Sequence, residues 1–446
     1  MPGARTVSVM SRPLRLALVL TAAVALLGGP AAAPDERSAI LAPLAGAPAS
    51  PQPSPVAAGP GSPGPGSQPR AGASRDVPQR LAGQLQAALD AQAAALLRDD
   101  EPGFLAVADA GEPALTSQLR RRFAVLRALR VAGWRETLAG APEPVAAPAA
   151  DAARQWRVGV ELRYCFVVPG CAPVAVQVET RWADRDGQLR LVALGGSPAS
   201  GLGPRPWEVS DLRVAVGPRV IVAATPRYAA RLAAALASAE RAAAVADRYA
   251  RWGPPPGRYL VYLAGPDEWG RWYGVPQPSW VAGYAMAVSD DDTEIILNAE
   301  KVTRNEVTDT LRHELAHVVT LAGVRRSYTA RWWLVEGIAE YVRMVGRPLS
   351  AYRGLSQAQR YLYSGQWSDL AALDQPPVSA SVGDAAGRYG VAFLAVRCLA
   401  QRYGEDRMLR FFDAVVRRGG DQDRASLEQF GSPLDAAVHS LILCAH

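Results

Sequence analysis

Two histidines and a glutamate have a spacing that can bind a metal ion. His313, Glu314 and His317 form the pattern His-Glu-x-x-His, and its flanks, a capping box at residues 303–306 and Gly323, favour a helix. Residues four apart on a helix share one face with Cβ atoms about 5–6 Å apart, so both imidazoles can reach one Zn²⁺ ion. Zinc lowers the pKa of its bound water to about 7, and Glu314 is placed to accept the proton. The pattern predicts one zinc ion per chain, with Glu314 as general base.

A second predicted helix, at residues 332–341, carries the candidate third ligand, Glu336. Eighteen residues separate it from His317, which is enough to end one helix, turn and place another alongside. A carboxylate beside Val335 and Ile338 is costly to bury unless it is paired or bound to a metal. Gly337 permits close approach of a neighbouring helix. We therefore expect Glu336 to complete the zinc site. The alternative is that His313 and His317 belong to an ordinary buried helix and face solvent or core partners.

These motifs resemble those of the gluzincin metallopeptidases. The likeness consists of His-Glu-x-x-His followed after eighteen residues by Glu within Trp-Leu-x-Glu-Gly-x-Ala, as in aminopeptidase N-like enzymes, and it extends from Asp309 to Met344. It implies hydrolysis of peptide bonds by a two-lobed zincin, with a mixed sheet above the active-site helix and a helical lobe below. The motif Gly-Ala-Met-Glu-Asn, which captures a free amino terminus in aminopeptidase N-like enzymes, is absent. Its absence favours an endopeptidase over an aminopeptidase.

The resemblance also implies a residue that orients a metal ligand. Metal-bound histidines usually donate their other N–H to a carboxylate or carbonyl. Thermolysin-like enzymes place an acidic residue four positions after the glutamate ligand, where this chain has Glu340. The alternative for Glu340 is a solvated surface side chain, and Asp309, one turn before His313, is a second candidate.

Peptide hydrolysis further requires a donor to the developing oxyanion. Related enzymes supply a Tyr or His from the helical lobe, and the resemblance implies Tyr389 for this role, with His439 as the other candidate. Arg388 is a candidate contact for a substrate carboxylate. The alternative for Tyr389 is a tyrosine of the core or of the cleft rim.

A strand predicted at residues 280–288 is the candidate peptide-binding edge. Zincins commonly bind substrate as an added strand on a sheet edge, so the resemblance implies that the backbone of Gly283, Tyr284 and Ala285 binds a peptide or protein substrate. The alternating pattern is equally consistent with an interior strand.

The N-terminus has the composition of an export signal. Three arginines precede an apolar stretch at residues 16–27, and small residues follow it. This stretch is short for a membrane span, which needs about 20 residues. Pro34 disfavours cleavage after Ala33. Residues 1–33 are therefore either a signal peptide that is removed or an N-terminal anchor that tethers the chain to a membrane or cell envelope. We expect a secreted or cell-surface protein.

Composition then divides the rest of the chain. Residues 34–76, rich in Pro, Gly and Ala, cannot form a core and are predicted to be a disordered linker. Residues 77–205 show helical periods at 79–97 and 117–129 followed by four alternating strands, and this unit faintly resembles the NTF2-like or cystatin-like fold. It carries no motif with recognisable chemistry, so a packing or docking module is favoured over a ligand pocket. We predict an α+β protein of two domains, the zincin domain being residues 207–446.

Four cysteines in an exported chain suggest two disulfides. Cys165 and Cys171 have a hairpin-like spacing, which leaves Cys398 to pair with Cys444. Four reduced, buried thiols are the alternative.

The charge distribution argues against a nucleic-acid partner. The net charge is +6, but the 48 basic residues are scattered among 42 acidic ones without a basic stripe. Two other functions stay open, a non-catalytic zinc-containing binding protein and a structural module of the cell envelope. The sequence leaves the oligomeric state undetermined.

Overall fold

The computed structural model describes residues 20–24, 76–146, 153–168, 171, 173–198, 202–274, 278, 280–289, 292–324, 331–364 and 368–438. Most of the predicted linker, His439 and Cys444 therefore lie outside the described residues. The first described element is strand β1 (Leu20–Val24), which lies within the apolar stretch predicted as part of an export signal.

Three helices and an antiparallel sheet occupy the described residues between 76 and 194. The strand order is β2-β4-β5-β6, with β3 paired to β4. In chain order the elements are α1 (Asp76–Leu97), α2 (Glu101–Leu105), α3 (Pro113–Ala128), β2 (Val131–Leu138), β3 (Glu143–Val145), β4 (Gln155–Phe166), β5 (Val174–Arg185) and β6 (Gln188–Leu194). The predicted strand at 155–166 is present with the same bounds.

The alternation of side chains along β5 shows how this sheet divides core from solvent. Val174, Val176 and Val178 are buried, whereas Ala175 and Gln177 between them are exposed. Successive residues of a strand point to opposite faces, so the valines lie on the buried face of the sheet, which α1 and α3 cover through β2 and β6. One face of the sheet is therefore part of the core, and the other is in water.

A mixed sheet forms the centre of the second part of the chain. Its order is β1-β10-β11-β9-β8-β7, with parallel pairing of β9 to both β8 and β11. The elements up to its last strand are α4 (Pro206–Val209), β7 (Arg213–Val216), β8 (Val220–Ala224), α5 (Leu232–Ala246), β9 (Tyr259–Ala264), α6 (Pro266–Arg271), β10 (Val281–Ala287) and β11 (Thr293–Asn298). The strand predicted at 212–224 is a hairpin of two strands, because the chain turns at Gly217, whose N–H donates to the Val220 carbonyl at 2.9 Å.

Helices make up most of the remaining described chain: α7 (Val307–Thr320), α8 (Trp332–Arg343), α9 (Leu355–Tyr363), α10 (Val382–Tyr403), α11 (Glu405–Phe412), α12 (Gln422–Phe430) and α13 (Leu434–Val438). Helix α7 lies against β10 and between α5 and α8, and α8 packs on α10. At the α8–α10 contact a Cβ added to Gly337 would lie 2.5 Å from the carbonyl oxygen of Ala392. Only glycine permits this approach without a shift of one helix.

Aromatic side chains join the two sheets. The ring of Trp207 in α4 lies 5.5 Å from Trp134 of β2 and 5.2 Å from Tyr164 of β4, measured between centroids. The Tyr164 hydroxyl donates to the buried carboxylate of Glu294 in β11 at 3.5 Å, and Tyr273 donates to the same carboxylate. One continuous apolar core extends through both parts. The mixture of helices and sheets confirms the α+β class, whereas independent folding of two domains stays a prediction.

The disulfide between Cys165 and Cys171 is confirmed. Cys398 is also disulfide-bonded, and its predicted partner Cys444 lies outside the described residues. Among the helices of the described residues, none combines the length and the apolar character that a membrane crossing requires.

Candidate active site

Helix α7 holds the His-Glu-x-x-His pattern in the interior of the protein. Just before its start the N–H and the hydroxyl of Thr303 donate to Glu306 Oε2 at 3.1 and 2.7 Å. The N-cap is Glu306 and not Thr303, and no side chain caps the helix, so the predicted capping box is wrong. His313, Glu314 and His317 are 0%, 0% and 2% exposed. The spacing of four residues places the Nε2 atoms of the two histidines 3.1 Å apart.

Helix α8 brings Glu336 to the two histidines. The Glu336 Oε2 atom lies 3.2 Å from His313 Nε2 and 3.3 Å from His317 Nε2, and the Glu336 side chain is 1% exposed. The structure thus places the three predicted metal ligands together, as a triangle of donor atoms.

The triangle has the dimensions of a zinc donor set. Zinc bonds histidine nitrogen and carboxylate oxygen at about 2.0–2.2 Å with tetrahedral angles, which puts neighbouring donor atoms about 3.3 Å apart. The observed sides are 3.1 to 3.3 Å. Two imidazole nitrogens at this separation repel each other unless a proton or a metal ion lies between their lone pairs.

The charges around the triangle also fit a divalent cation. Three carboxylates, those of Glu314, Glu336 and Glu340, are buried to 1% exposure or less. Among the described residues, Arg343 supplies a buried positive charge in contact with this group. Buried charges cost several kcal/mol each unless they are neutralised. A zinc ion would balance the remaining negative charge, so the residues present fit the metal.

Glu340 holds the other nitrogen of His313. Its Oε1 atom lies 2.8 Å from His313 Nδ1 and accepts a hydrogen bond from Arg343 Nη1 at 3.0 Å. Burial would raise the pKa of Glu340, but Arg343 and His313 outweigh it and lower the pKa to about 2. The buried position contradicts the alternative of a solvated surface glutamate. Arg343 was not singled out from the sequence, although its offset of three residues on the same helix could have identified it.

The histidine pKa values show that this site favours a positive charge. Burial would lower the pKa of His313, but hydrogen bonds with Glu336 and Glu340 outweigh burial and raise the pKa to about 10. For His317 burial dominates and lowers the pKa. The carboxylates therefore stabilise one positive charge at His313, which either a proton or a metal ion can supply.

Glu314 lies directly against strand β10. A Cβ added to Gly283 would be 3.0 Å from Glu314 Oε1 and 2.8 Å from Leu297 Cδ2. The absence of a side chain at Gly283 consequently leaves room for the carboxylate beside the strand backbone. This contact joins two predicted site residues that are thirty-one positions apart.

The other two predicted substrate-binding residues, Tyr284 and Ala285, follow Gly283 on β10. The ring of Tyr284 packs edge-on against Trp269 with centroids 5.1 Å apart. Alternate residues point to opposite faces, so this ring lies on the face away from Glu314. The predicted edge position of β10 differs from the structure, where β1 pairs with the outer side of β10 and makes it an interior strand.

Tyr389 of α10 is part of the same cluster. Its ring centroid lies 6.0 Å from that of His313, 4.9 Å from Trp332 and 6.3 Å from Trp280, and the residue is 2% exposed. Burial, together with the negative charge of Glu336, raises the pKa of Tyr389 well above its usual value. The hydroxyl therefore stays protonated and can donate. No local pattern in the sequence singles out the two tryptophans that enclose it.

Two other residues singled out from the sequence, Arg388 for a substrate carboxylate and Asp309 for orienting a metal ligand, pair with charged side chains instead. Arg388 donates to Asp384 Oδ2 at 3.3 Å, and Asp309 pairs with Arg347 at 2.6 Å. His439 lies outside the described residues.

One family model matches the part of the chain that carries the site. Residues 280–354 match the family described as "BSP: Peptidase of plants and bacteria", and this stretch includes both histidines, Glu314 and Glu336. The match indicates a peptidase-like fold around the site. It covers 75 of the 446 residues.

Solved structures with partial similarity include two of a yeast enzyme. The structure of yeast LTA4 hydrolase in complex with bestatin is 19% identical over 53% of this chain and 37% of that one, with a TM-score of 0.33. The native yeast LTA4 hydrolase is 16% identical over 53% and 36%, with a TM-score of 0.30. The matched region spans little more than a third of those proteins. No curated protein matches the chain.

Proposed function

We propose that this protein is an exported zinc-dependent endopeptidase. The observation that carries the proposal is the buried triangle of His313 Nε2, His317 Nε2 and Glu336 Oε2, with Glu314 next to it on the same helix. Structural zinc sites have four protein ligands, whereas three protein ligands leave one position for water or substrate. The family match over residues 280–354 supports a peptide bond as the target.

The roles of the residues follow from their positions. When bound, zinc polarises the substrate carbonyl and lowers the pKa of water to about 7. Glu314 accepts the proton of the attacking water and delivers it to the amine that leaves as the C–N bond breaks. Because Glu314 is fully buried beside β10, this proton is held away from bulk solvent.

Two neighbouring side chains support this chemistry. Glu340, ionised and fixed by Arg343, holds the ring orientation of His313 through Nδ1. The protonated hydroxyl of Tyr389 donates to the carbonyl oxygen as negative charge develops on it.

We propose that the backbone of β10 at Gly283–Ala285 binds an extended peptide or protein substrate, on the side along which residues 20–24 pair with it in this structure. We further propose that the unit at residues 77–205 has an NTF2-like or cystatin-like fold and serves as a packing or docking module. Export through the N-terminal segment would place the enzyme outside the cell or at its surface.

The test uses purified zinc-loaded protein and a library of mixed peptides. Glu314→Gln keeps the shape of the side chain but cannot accept the proton, so we expect retained zinc and hydrolysis slowed by about 10²–10⁴-fold. Glu428→Gln, on an exposed side chain of α12, is the matched control and should leave the rate unchanged. His317→Ala should remove the zinc, which metal analysis would report as a loss of one equivalent.

Two results would contradict the proposal. Cleavage at the parent rate by Glu314→Gln would refute the role of the base. Stoichiometric zinc without cleavage of any peptide would favour the non-catalytic zinc-binding protein instead.

A further inference from the structure

An open cavity of about 640 Å³ lies beside strands β2 and β4, in the unit at residues 77–205. Its described lining comes from those two strands, from the end of α1 and from Pro173, whereas the metal centre is built on α7, α8 and α10. Cavities that bind small molecules in proteins have volumes of about 300–1,000 Å³. This cavity therefore has the size of a ligand site, and it is separate from the metal centre.

The register of β2 and β4 determines which side chains reach the cavity. Residues directly opposite each other on paired strands project from the same face of the sheet. Three such pairs line the cavity: Gly133–Cys165, Arg135–Arg163 and Thr137–Glu161. Trp134 and Glu136 alternate with them along β2 and are buried, so the three pairs belong to the face of the sheet that is in water.

Positive charge predominates among the lining residues. Arg135 lies directly opposite Arg163, and like charges in this position repel each other. Arg163 is compensated by Glu161, whose Oε1 atom lies 2.6 Å from Arg163 Nε. Among the described residues, Arg135 makes no ion pair. The cavity thus carries one uncompensated positive charge, which favours a ligand with a single negative charge.

Apolar surface accompanies this charge. Leu97, the last residue of α1, lines the cavity and is 42% exposed, so a ligand with an apolar body would remove it from water. Gly133 contributes no side chain, and a Cβ added there would lie 3.4 Å from the Cβ of Cys165, in ordinary van der Waals contact. The space beside Cys165 is therefore open because residue 133 is glycine.

A covalent bond fixes one wall of the cavity. Cys165, which lines it, is bonded to Cys171, and the chain continues from there to Pro173, another lining residue. A wall held in this way loses little conformational freedom when a ligand binds, which favours affinity.

We propose that this cavity binds a small organic acid, consisting of an apolar body and one carboxylate. The carboxylate pairs with Arg135, since the planar guanidinium matches a carboxylate with two parallel hydrogen bonds. The apolar body covers Leu97 and the open space at Gly133. The inference gives the proposed docking role of this unit a defined ligand. It does not depend on the proposed peptidase function, because the cavity lies outside the metal centre.

The first experiment is calorimetric titration of the full chain with hexanoate, octanoate and naphthoate. The corresponding alcohols, which carry no charge, are the matched ligands. At least one acid should bind, and at least about tenfold more tightly than its alcohol, because the alcohol lacks the hydrogen bonds between carboxylate and guanidinium.

The role of the charge is tested by Arg135→Gln. This variant should bind the acid about tenfold more weakly and should leave the affinity for the alcohol unchanged. Arg181→Gln is the matched control, because Arg181 is an exposed arginine of β5 in the same sheet and does not line the cavity. It should bind the acid as tightly as the parent does.

The position of the apolar body is tested by Gly133→Val. The valine side chain occupies the space beside Cys165, so the affinities for acid and alcohol should both fall by at least about tenfold. Gly159→Val is the matched control: an added Cβ at Gly159 would lie 3.5 Å from that of Ala139, and Gly159 does not line the cavity. Thermal unfolding verifies that both variants are folded.

Three results would overturn the inference. The first is failure of all three acids to bind the parent. The second is equal affinity for each acid and its alcohol, which would refute the anionic ligand. The third is binding that neither Arg135→Gln nor Gly133→Val weakens, which would place the acid elsewhere, for example at the metal centre. Because affinity and not hydrolysis is measured, a protein that cleaves no peptide would still give a decisive result.

Discussion

Replacing Gly337 by alanine should separate helices α8 and α10 and weaken zinc binding at Glu336. The added Cβ would lie 2.5 Å from the carbonyl oxygen of Ala392 and 2.6 Å from Cγ2 of Val396. Backbone oxygen cannot turn aside as the end of a flexible side chain can. One helix must therefore shift.

The size of the shift follows from the contact distances. Ordinary van der Waals contact begins at 3.4 Å, so α8 must move by about 0.9 Å at this point. Metal–ligand distances tolerate only about 0.2 Å. Because Glu336 is the neighbour of Gly337 on α8, its carboxylate moves with the helix. We expect zinc affinity to fall by about 10–100-fold, the usual effect of losing support for a metal ligand. Overpacking should also lower the free energy of unfolding by about 1–3 kcal/mol.

The assay is competition for zinc against a chromophoric chelator, together with thermal unfolding. Gly83→Ala is the matched control: Gly83 lies inside α1, is exposed, and has no atom within 4 Å of an added Cβ. Alanine at this position should raise the free energy of unfolding by about 1 kcal/mol, because alanine has a higher helix propensity than glycine, and it should leave the zinc affinity unchanged. The reasoning fails if Gly337→Ala binds zinc as tightly as the parent and unfolds at the same temperature.

Three further outcomes can be measured. Burial raises the pKa of Glu136 from 4.5 to about 7 in the folded state, so the folded state binds the proton of Glu136 more tightly than the unfolded state does. The free energy of unfolding should therefore fall by about 3 kcal/mol as the pH rises from about 4.5 to 7. Denaturant titrations at each pH measure this decline, and Glu136→Gln should remove it. Replacing both Cys165 and Cys171 by Ser should lower the free energy of unfolding by about 2 kcal/mol, the loop-closure entropy expected for so short a loop. An unchanged free energy of unfolding would contradict this entropic argument. Tyr389→Phe should keep zinc and KM but lower kcat by about 10²-fold, and an unchanged kcat would exclude Tyr389 as the oxyanion donor.

Several features of this protein follow from the sequence alone because they depend on neighbours in the chain. The four-residue spacing of His313 and His317 determines that they share a helix face, and the structure has their Nε2 atoms 3.1 Å apart. Alternation of apolar and polar residues identified the strand at 155–166 with its observed bounds. The six-residue separation of Cys165 and Cys171 led to the correct disulfide. The sequence likewise identified Glu336 and Gly337 as one unit, through the cost of burying a carboxylate and the close packing that glycine permits.

The tertiary structure decided which distant elements meet. The Tyr164 hydroxyl reaches Glu294 across 130 positions of sequence, and β1 pairs with β10 although more than 250 residues lie between them. Neither contact has a local pattern, because alternation assigns a face to each residue but not a partner to each strand. The same limit applied to β10, whose sequence was consistent with both an edge and an interior position. The partner of each strand is selected by how much apolar surface the whole fold buries and by whether its buried charges are neutralised. Both depend on contacts between distant residues, which a local sequence pattern does not contain.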